Sequence, residues 1–317
     1  MAVVGCGVIG GGWAARMALS GHDVAVYDPS PEAENAVQHA LAAAETAWHE
    51  LDLLQGPVGK IRMASSVADA VADAAWVQES VPEVVDLKAS VHAEIEAAAS
   101  VETVVASSTS GIRPTTMQSN MSHPGRLVVG HPFNPVYLLP LVEVVGGEHT
   151  RPEVIEQAMA QCRSLAMHPL HVKVEIDAFI ADRLLEAVWR EALWLVNDGV
   201  ATTKEIDEAI TYGFGLRWAQ MGLFETYRVA GGAGGFRHFI EQFGPTLDWP
   251  WTKLMDTPEF NSELVDKLVG QSDSQSGHHT ITELEQIRDR NLVGFLKVLE
   301  ANRWGAGQTI AHQRNRP

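Results

Sequence analysis

The chain has 317 residues, 46% of them hydrophobic and 20% charged, with a net charge of -17. This length accommodates two domains, and the composition is that of a folded globular protein rather than a disordered one. So acidic a chain excludes nucleic acid and anionic membranes as main partners, and it weighs against polyphosphate-bearing substrates.

The two cysteines, Cys6 and Cys162, are too few for a disulfide framework or a cysteine-based zinc site. They read as small buried thiols of a reducing compartment, and no metal site is expected. The chain opens on Met1-Ala2-Val3-Val4, with no room for a leader and a first strand that looks clipped. No run has the apolar length needed to span a bilayer, so the expectation is a cytoplasmic protein.

From Met1 to about Asp177, short β-rich runs alternate with helical stretches. Strands are expected at Val3–Val4, Asp23–Tyr27, Trp76–Glu79, Val104–Ser107, Leu127–His131, Leu141–Val145 and His171–Val174. Helical patterns fall at Trp13–Ser20, Pro31–Leu54 and Leu87–Ala99. This alternation predicts an α/β Rossmann-type domain, a mostly parallel sheet covered on both faces, over residues 1–177.

After Asp177 the pattern is helical throughout. Phe179–Val196 is apolar at helical spacing through Leu184, Leu185, Val188, Ala192 and Leu195, with Glu186 and Arg190 as an exposed pair. Gly199 ends it, and Thr202-Thr203-Lys204-Glu205 is a capping box that opens the next helix, through Ile210. Helical patterns recur at Phe236–Phe243 and Ile281–Glu300, whereas the Ser-, Gln- and Gly-rich stretch Gly270–His279 reads as a loop. The expectation for residues 178–317 is an all-α domain for substrate binding and dimerisation, with no role assigned from Trp304 onward.

The loop Gly5-Cys6-Gly7-Val8-Ile9-Gly10 stands between an apolar strand and a helix, as a dinucleotide-binding loop must. Gly5 permits the tight turn, Gly7 lets backbone approach a pyrophosphate, and Gly10 allows helix to pack closely on strand. Asp28 ends the second strand, where a carboxylate accepts hydrogen bonds from the adenosine ribose and repels a 2′-phosphate. No Lys or Arg occurs between Asp28 and Lys60, so the expected cofactor is NAD rather than NADP. The alternative is a plain glycine-rich turn before a helix, with Asp28 a strand-end residue that caps a turn.

Three polar stretches fall where the carboxyl edge of the sheet is expected, the edge at which open α/β folds bind ligands. They are Ser107–Gly111, His131-Pro132-Phe133-Asn134-Pro135, and Glu143 inside the apolar run Leu141–Val145. A carboxylate in such a run is costly unless paired, and an imidazole is a natural partner. The reading is His131 as general acid/base, Glu143 as its orienter, and Ser110 and Asn134 as holders of the reacting oxygen. A strand-end His before Pro is also a structural arrangement, and strand alternation can turn Glu143 outward; spacing alone does not choose.

These residues, with the segment Gln78-Glu79-Ser80-Val81-Pro82-Glu83 and the helix start Ala178-Phe179-Ile180-Ala181-Asp182-Arg183-Leu184, resemble the 3-hydroxyacyl-CoA dehydrogenases. The resemblance implies His131 as catalytic acid/base with Glu143 as partner, and Ser110 and Asn134 at substrate or nicotinamide. It implies cofactor contacts at Gly5, Gly7, Val8, Ile9, Gly10, Asp28, Glu83 and Ser107, and a homodimer.

The chain departs from the acyl-CoA enzymes at Asp182, where they carry Asn, and over Gly215–Thr226. There it resembles the branch containing the gulonate-oxidising lambda-crystallins and the L-carnitine dehydrogenases. The matches through Phe214–Gly235 and Phe243–Glu259 are to the latter. A carnitine-like small-molecule substrate carries a quaternary ammonium, which calls for aromatic walls and an anion, and a carboxylate, which calls for a cation. Asp182, Arg217, Trp218 and Phe224 are the substrate candidates; Trp189, Trp194 and Tyr227 are further walls and Arg183 a further cation. Each also has a bland reading: Trp189 and Trp194 as helix core, Arg183 as a local ion pair, and Asp182 as a first-turn acid. The expected function is NAD-dependent oxidation of a 3-hydroxyl on such a substrate. L-gulonate, a 3-hydroxyacyl-CoA and a silent NAD-binding protein are the alternatives.

Overall fold

In the computed structural model, residues 1–54, 56–248, 252, 259 and 261–314 are described. The chain divides into two compact units, Met1–Asp182 with Gln286–Pro317, and Arg183–Glu285. The first therefore takes back the end of the chain, unlike the sequence division at residue 177. The reason is apolar packing: Val293, Leu296 and Ile310 share one buried cluster with Ala15, Leu19 and Trp48.

The first unit runs β1 (Ala2–Val4), α1 (Val8–Leu19), β2 (Val24–Tyr27), α2 (Ala33–Glu50), β3 (Ile61–Met63), α3 (Val67–Val71), β4 (Trp76–Glu79) and α4 (Val85–Ala98). It continues through β5 (Val104–Ser107), α5 (Pro114–Gln118), β6 (Leu127–Pro132), β7 (Leu141–Gly146), α6 (Pro152–Ser164) and β8 (His168–Val172). The strands form one sheet ordered β3-β2-β1-β4-β5-β6-β7-β8. Only the β6–β7 pair is antiparallel.

Period-two alternation divides the sheet's side chains between two cores. Val3, Val104, Ala106 and Val128 face one cluster, while Ala2, Val4, Val105, Leu127 and Val129 face the other. Burying one such valine is worth about 1.5–3 kcal/mol, so both faces need helices. Arg16 is buried within α1 and donates to the carbonyls of Val136, Leu165 and Ala166. Burial pulls its guanidinium down to about 9.

Two strand expectations are corrected. β3 was not anticipated, because three residues centred on Arg62 show no apolar run. β8 begins at His168 rather than His171, drawn back by parallel pairing with β7, Leu141 opposite His168.

The second unit continues α7 (Ala181–Asn197), whose first two residues belong to the first unit, with α8 (Thr203–Ala209), α9 (Gly215–Ala230), α10 (Gly235–Phe243) and α11 (Ser262–Ser276). α12 (Ile281–Ala301) leads back to α13 (Ala306–Arg314). The capping box forms as expected, Thr202 and Glu205 satisfying each other's backbone N–H groups. Gly199 takes φ +73° after α7, the left-handed geometry glycine adopts cheaply at a helix end. Glu186 and Arg190 pair at 3.0 Å.

The loop expected at Gly270–His279 is helix as far as Ser276. Polar composition argued for a loop, but tertiary partners override it: Lys267 Nζ donates to Val196 O and Thr203 N–H to Gln271 Oε1. α3, α5, α6, α9 and α13 were also not anticipated. Much of Phe243–Glu259, one of the segments carrying the sequence resemblance, lies outside the described residues. Among the described residues no helix is long and apolar enough to cross a membrane.

Candidate active site

The glycine loop joins β1 to α1 with geometry that only glycine satisfies at two positions. Gly5 has φ +92°, and a Cβ there would lie 2.7 Å from the Ser80 carbonyl group. A Cβ on Gly10 would lie 1.8 Å from Gly5 O, so the helix closes directly on the turn. Gly7 has nothing within 4 Å of its Cβ position, and Val8 beside it is 69% exposed, whereas Ile9 packs inward. The loop thus presents open backbone and a helix N-terminus, the donor set a pyrophosphate requires.

Asp28 follows β2 next to this loop. Its Oδ2 accepts from Cys6 N–H at 2.7 Å and its Oδ1 from Ser30 N–H at 2.8 Å. Each oxygen keeps a further lone pair for a ribose hydroxyl. These residues fit NAD. Asp28→Ala is expected to weaken NADH binding by about 10- to 100-fold, the worth of charge-assisted hydrogen bonds, and to narrow the preference over NADPH. Fluorescence titration with both nucleotides measures it.

Across the sheet, the register of the antiparallel pair places His131 of β6 directly opposite Glu143 of β7. Opposed residues share a face, so their side chains meet: His131 Nδ1 lies 2.9 Å from Glu143 Oε2, and both are buried. Glu143 Oε1 accepts from the N–H groups of Ile180 and Ala181 at 2.9 and 3.0 Å. Two residues with left-handed φ, Ala178 (+58°) and Phe179 (+47°), deliver those amides. This costly backbone is held by the fully buried Phe179 ring, which lies 5.8 Å from the imidazole. Burial pushes the Glu143 carboxyl up, but the hydrogen bonds from His131, Ala181 and Ile180 outweigh it and hold it below the ordinary range. An ionised Glu143 accepts the Nδ1 proton and leaves the Nε2 lone pair available as a base. Asp182 Oδ2 lies 3.7 Å from that Nε2.

The remaining sequence candidates divide. Glu83 Oε1 accepts from Thr109 Oγ1 and from the amides of Ser110 (3.1 Å) and Gly111 (3.2 Å), so it shapes the loop that carries Ser110. Ser107 is fully buried, and its hydroxyl is committed to Glu79 Oε2 at 2.6 Å. Ser110 and Asn134 stand exposed at the same edge.

Arg217, Trp218 and Phe224 lie on α9 in the second unit. There Trp218 packs on Phe214 (4.6 Å), Phe224 on Phe236 (5.7 Å) and Tyr227 on Phe239 (4.4 Å), while Arg217 is exposed. Arg183 is exposed. Trp189, expected as helix core, is 58% exposed, while Trp194 is half-buried.

Sequence reasoning missed a second buried carboxylate. Glu79 ends β4 and receives Lys88 Nζ (2.8 Å), His92 Nε2 (3.2 Å), the Ser107 hydroxyl and Val81 N–H (2.8 Å). The signal was weaker than for Glu143: a carboxylate at the last position of a short strand, after Gln78.

A glycine loop after β1, an acid just past β2 and a carboxylate-braced histidine at the same sheet edge form the arrangement of a dinucleotide-binding domain with a candidate acid/base. Comparison with known proteins agrees. Residues 1–175 match the model of the 3-hydroxyacyl-CoA dehydrogenase NAD-binding domain, and residues 179–267 that of its C-terminal domain. The chain belongs to the 3-hydroxyacyl-CoA dehydrogenase family.

It is 59% identical to an L-carnitine dehydrogenase/betainyl-CoA thioesterase of Ruegeria pomeroyi, over 98% of this chain and 64% of that protein. A protein of the same description from Agrobacterium fabrum is 58% identical over 100% of this chain and 65% of its own length. The chain thus spans under two thirds of these two relatives. An L-carnitine dehydrogenase of a Pseudomonas species is 51% identical, with 98% of this chain and 97% of that one covered. Among solved structures, an NAD+-dependent dismutase, 5-formyl-3-hydroxy-2-methylpyridine 4-carboxylic acid 5-dehydrogenase, superposes with TM-score 0.80 at 30% identity, covering 94% and 97% of the two chains.

Proposed function

We propose that the chain catalyses NAD-dependent oxidation of the 3-hydroxyl of L-carnitine to 3-dehydrocarnitine. The observation that carries this reading is the His131–Glu143 pair with Asp182 set against the other ring nitrogen. His131 Nε2 takes the hydroxyl proton, and Glu143 stabilises the imidazolium that results. Bound NAD+ supplies the hydride acceptor. Ser110 and Asn134 hydrogen-bond the oxygen as it becomes a carbonyl.

The quaternary ammonium of carnitine is one methylene from the reacting carbon. A carboxylate 3.7 Å from the base is therefore within reach of that cation, and Asp182 is its counter-ion in this reading. The relatives named L-carnitine dehydrogenase support the substrate. Met1–Asp182 with Gln286–Pro317 then form the cofactor half, and Arg183–Glu285 the part that dimerises.

NADH formation with L-carnitine, D-carnitine, L-gulonate and 3-hydroxybutyryl-CoA in parallel tests this. Turnover confined to L-carnitine is the expected result. Preference for another substrate overturns the assignment, and silence with all four favours a non-catalytic NAD binder.

A homodimer is the assembly that fits α7, where Leu184, Leu185 and Trp189 are 59%, 61% and 58% exposed, a stripe that a second copy can cover. Light scattering on the wild type and Leu185→Glu tests it: a dimer reduced to monomer supports it, and a monomeric wild type overturns it. Two buried, unpaired cysteines accord with a reducing cytoplasm.

A further inference from the structure

Beside the glycine loop lies a hydrogen-bond chain that the reaction as described does not use. Trp13 Nε1 and Gln78 Nε2 both reach Ser108 Oγ, at 3.2 and 2.8 Å, and Ser80 Oγ lies 2.9 Å from the same oxygen. Proton inventory fixes its direction. An indole N–H only donates. Gln78 Nε2 also lies 3.3 Å from Gly130 O, which only accepts, so that atom is the amide nitrogen and donates to both. This orientation holds even though it leaves the buried Gln78 Oε1 without a partner. Both Ser108 lone pairs are then occupied, and the one Ser108 hydrogen must go to Ser80 Oγ. Ser80 keeps its own hydrogen, for which no protein acceptor is found among the described residues.

The place of Ser80 gives that hydrogen a destination. It follows β4 directly, half-buried, and a Cβ on Gly10 would lie 3.2 Å from its own Cβ. In the sheet, β2 with Asp28 flanks β1 on one side, and β4 flanks it on the other, toward β6 and His131. A dinucleotide with its adenosine ribose at Asp28 and its pyrophosphate on the glycine loop would have its nicotinamide half on the β4 side.

We propose that Ser80 is a cofactor-binding residue, its hydroxyl donating to a phosphate or ribose oxygen on the nicotinamide side of NAD. Trp13, Gln78 and Ser108 are positioning residues that preset the direction of the bond. A hydroxyl that already accepts a hydrogen bond is also the stronger donor. The proposal rests on the cofactor and is independent of the substrate reading.

Calorimetric titration of the full chain with NADH and with 5′-AMP tests it, because AMP ends before the nicotinamide half. Ser80→Ala is expected to raise the NADH Kd by about five- to tenfold, the worth of one neutral hydrogen bond, with the AMP Kd unchanged. Ser80→Cys, which keeps the size but donates weakly, should fall with alanine. An unchanged NADH Kd in Ser80→Ala overturns the proposal. Equal losses for NADH and AMP, or full rescue by cysteine, also overturn it, because either makes Ser80 a packing prop of the loop.

Discussion

His131→Ala is expected to lower kcat with L-carnitine by about 10²- to 10⁴-fold, the usual contribution of a positioned acid/base. The NADH Kd should stay near the wild-type value, because the glycine loop and Asp28 lie on other strands. Steady-state kinetics and nucleotide titration on one preparation separate the two quantities, and unchanged turnover sinks the assignment. Glu143→Gln sharpens the test. A neutral amide can still accept from Nδ1–H but no longer stabilises the imidazolium, so kcat should fall while KM for NAD holds. Glutamine has a single oxygen for the two acceptor positions that Glu143 fills, so it keeps either the Nδ1–H bond or the Ile180 and Ala181 amides, not both. A fall shared with loss of fold would instead mark Glu143 as a brace for the start of α7.

Glu79→Leu is expected to destabilise the protein by about 3–5 kcal/mol, because it takes the nearer carboxylate from the buried Lys88 and leaves it only the exposed Glu83 at 3.5 Å. Lys88 is 1% exposed and His92 0%, so neither can turn to water. The double variant Glu79→Leu/Lys88→Leu should recover much of that loss, since removing both charges leaves no uncompensated one. Urea denaturation followed by circular dichroism reads both.

The same carboxylate predicts the acid limb of stability. Burial pushes Glu79 up, but the His92 hydrogen bond and the Lys88 charge outweigh it and bring it down from 4.5 to about 2. A folded-state value below the unfolded one means stabilisation present above about 4.5 and lost as pH falls through that value toward about 2. Glu79→Gln should therefore flatten stability against pH in this window. An acid limb as steep as that of the wild type would show that other carboxylates carry it.

Much of this architecture was legible because it follows from local rules. Strand alternation, the glycine spacing at Gly5, Gly7 and Gly10, and the capping box at Thr202 each act over a few neighbouring residues. Sterics and hydrogen bonding at that range leave little choice. The argument that located Glu143, a charge within an apolar strand, applied less strongly to Glu79 at the end of a short strand, and only the folded sheet identified its partners Lys88 and His92. Composition misled at Gly270–Ser276, where contacts to α7 and α8 outweigh polar side chains with modest helix propensity.

The sequence by itself determined the glycine loop between β1 and α1, the acid beside it at Asp28, and the layered α/β class. Only the tertiary structure decided that His131 and Glu143 stand opposite in register, that Asp182 lies 3.7 Å from the other ring nitrogen of His131, and that Ser80 and Ser108 align beside the loop. The physical reason is distance along the chain. Trp13 meets Ser108 across 95 residues and Ile180 meets Glu143 across 37. Such partners are chosen by strand order and burial, which no local pattern encodes.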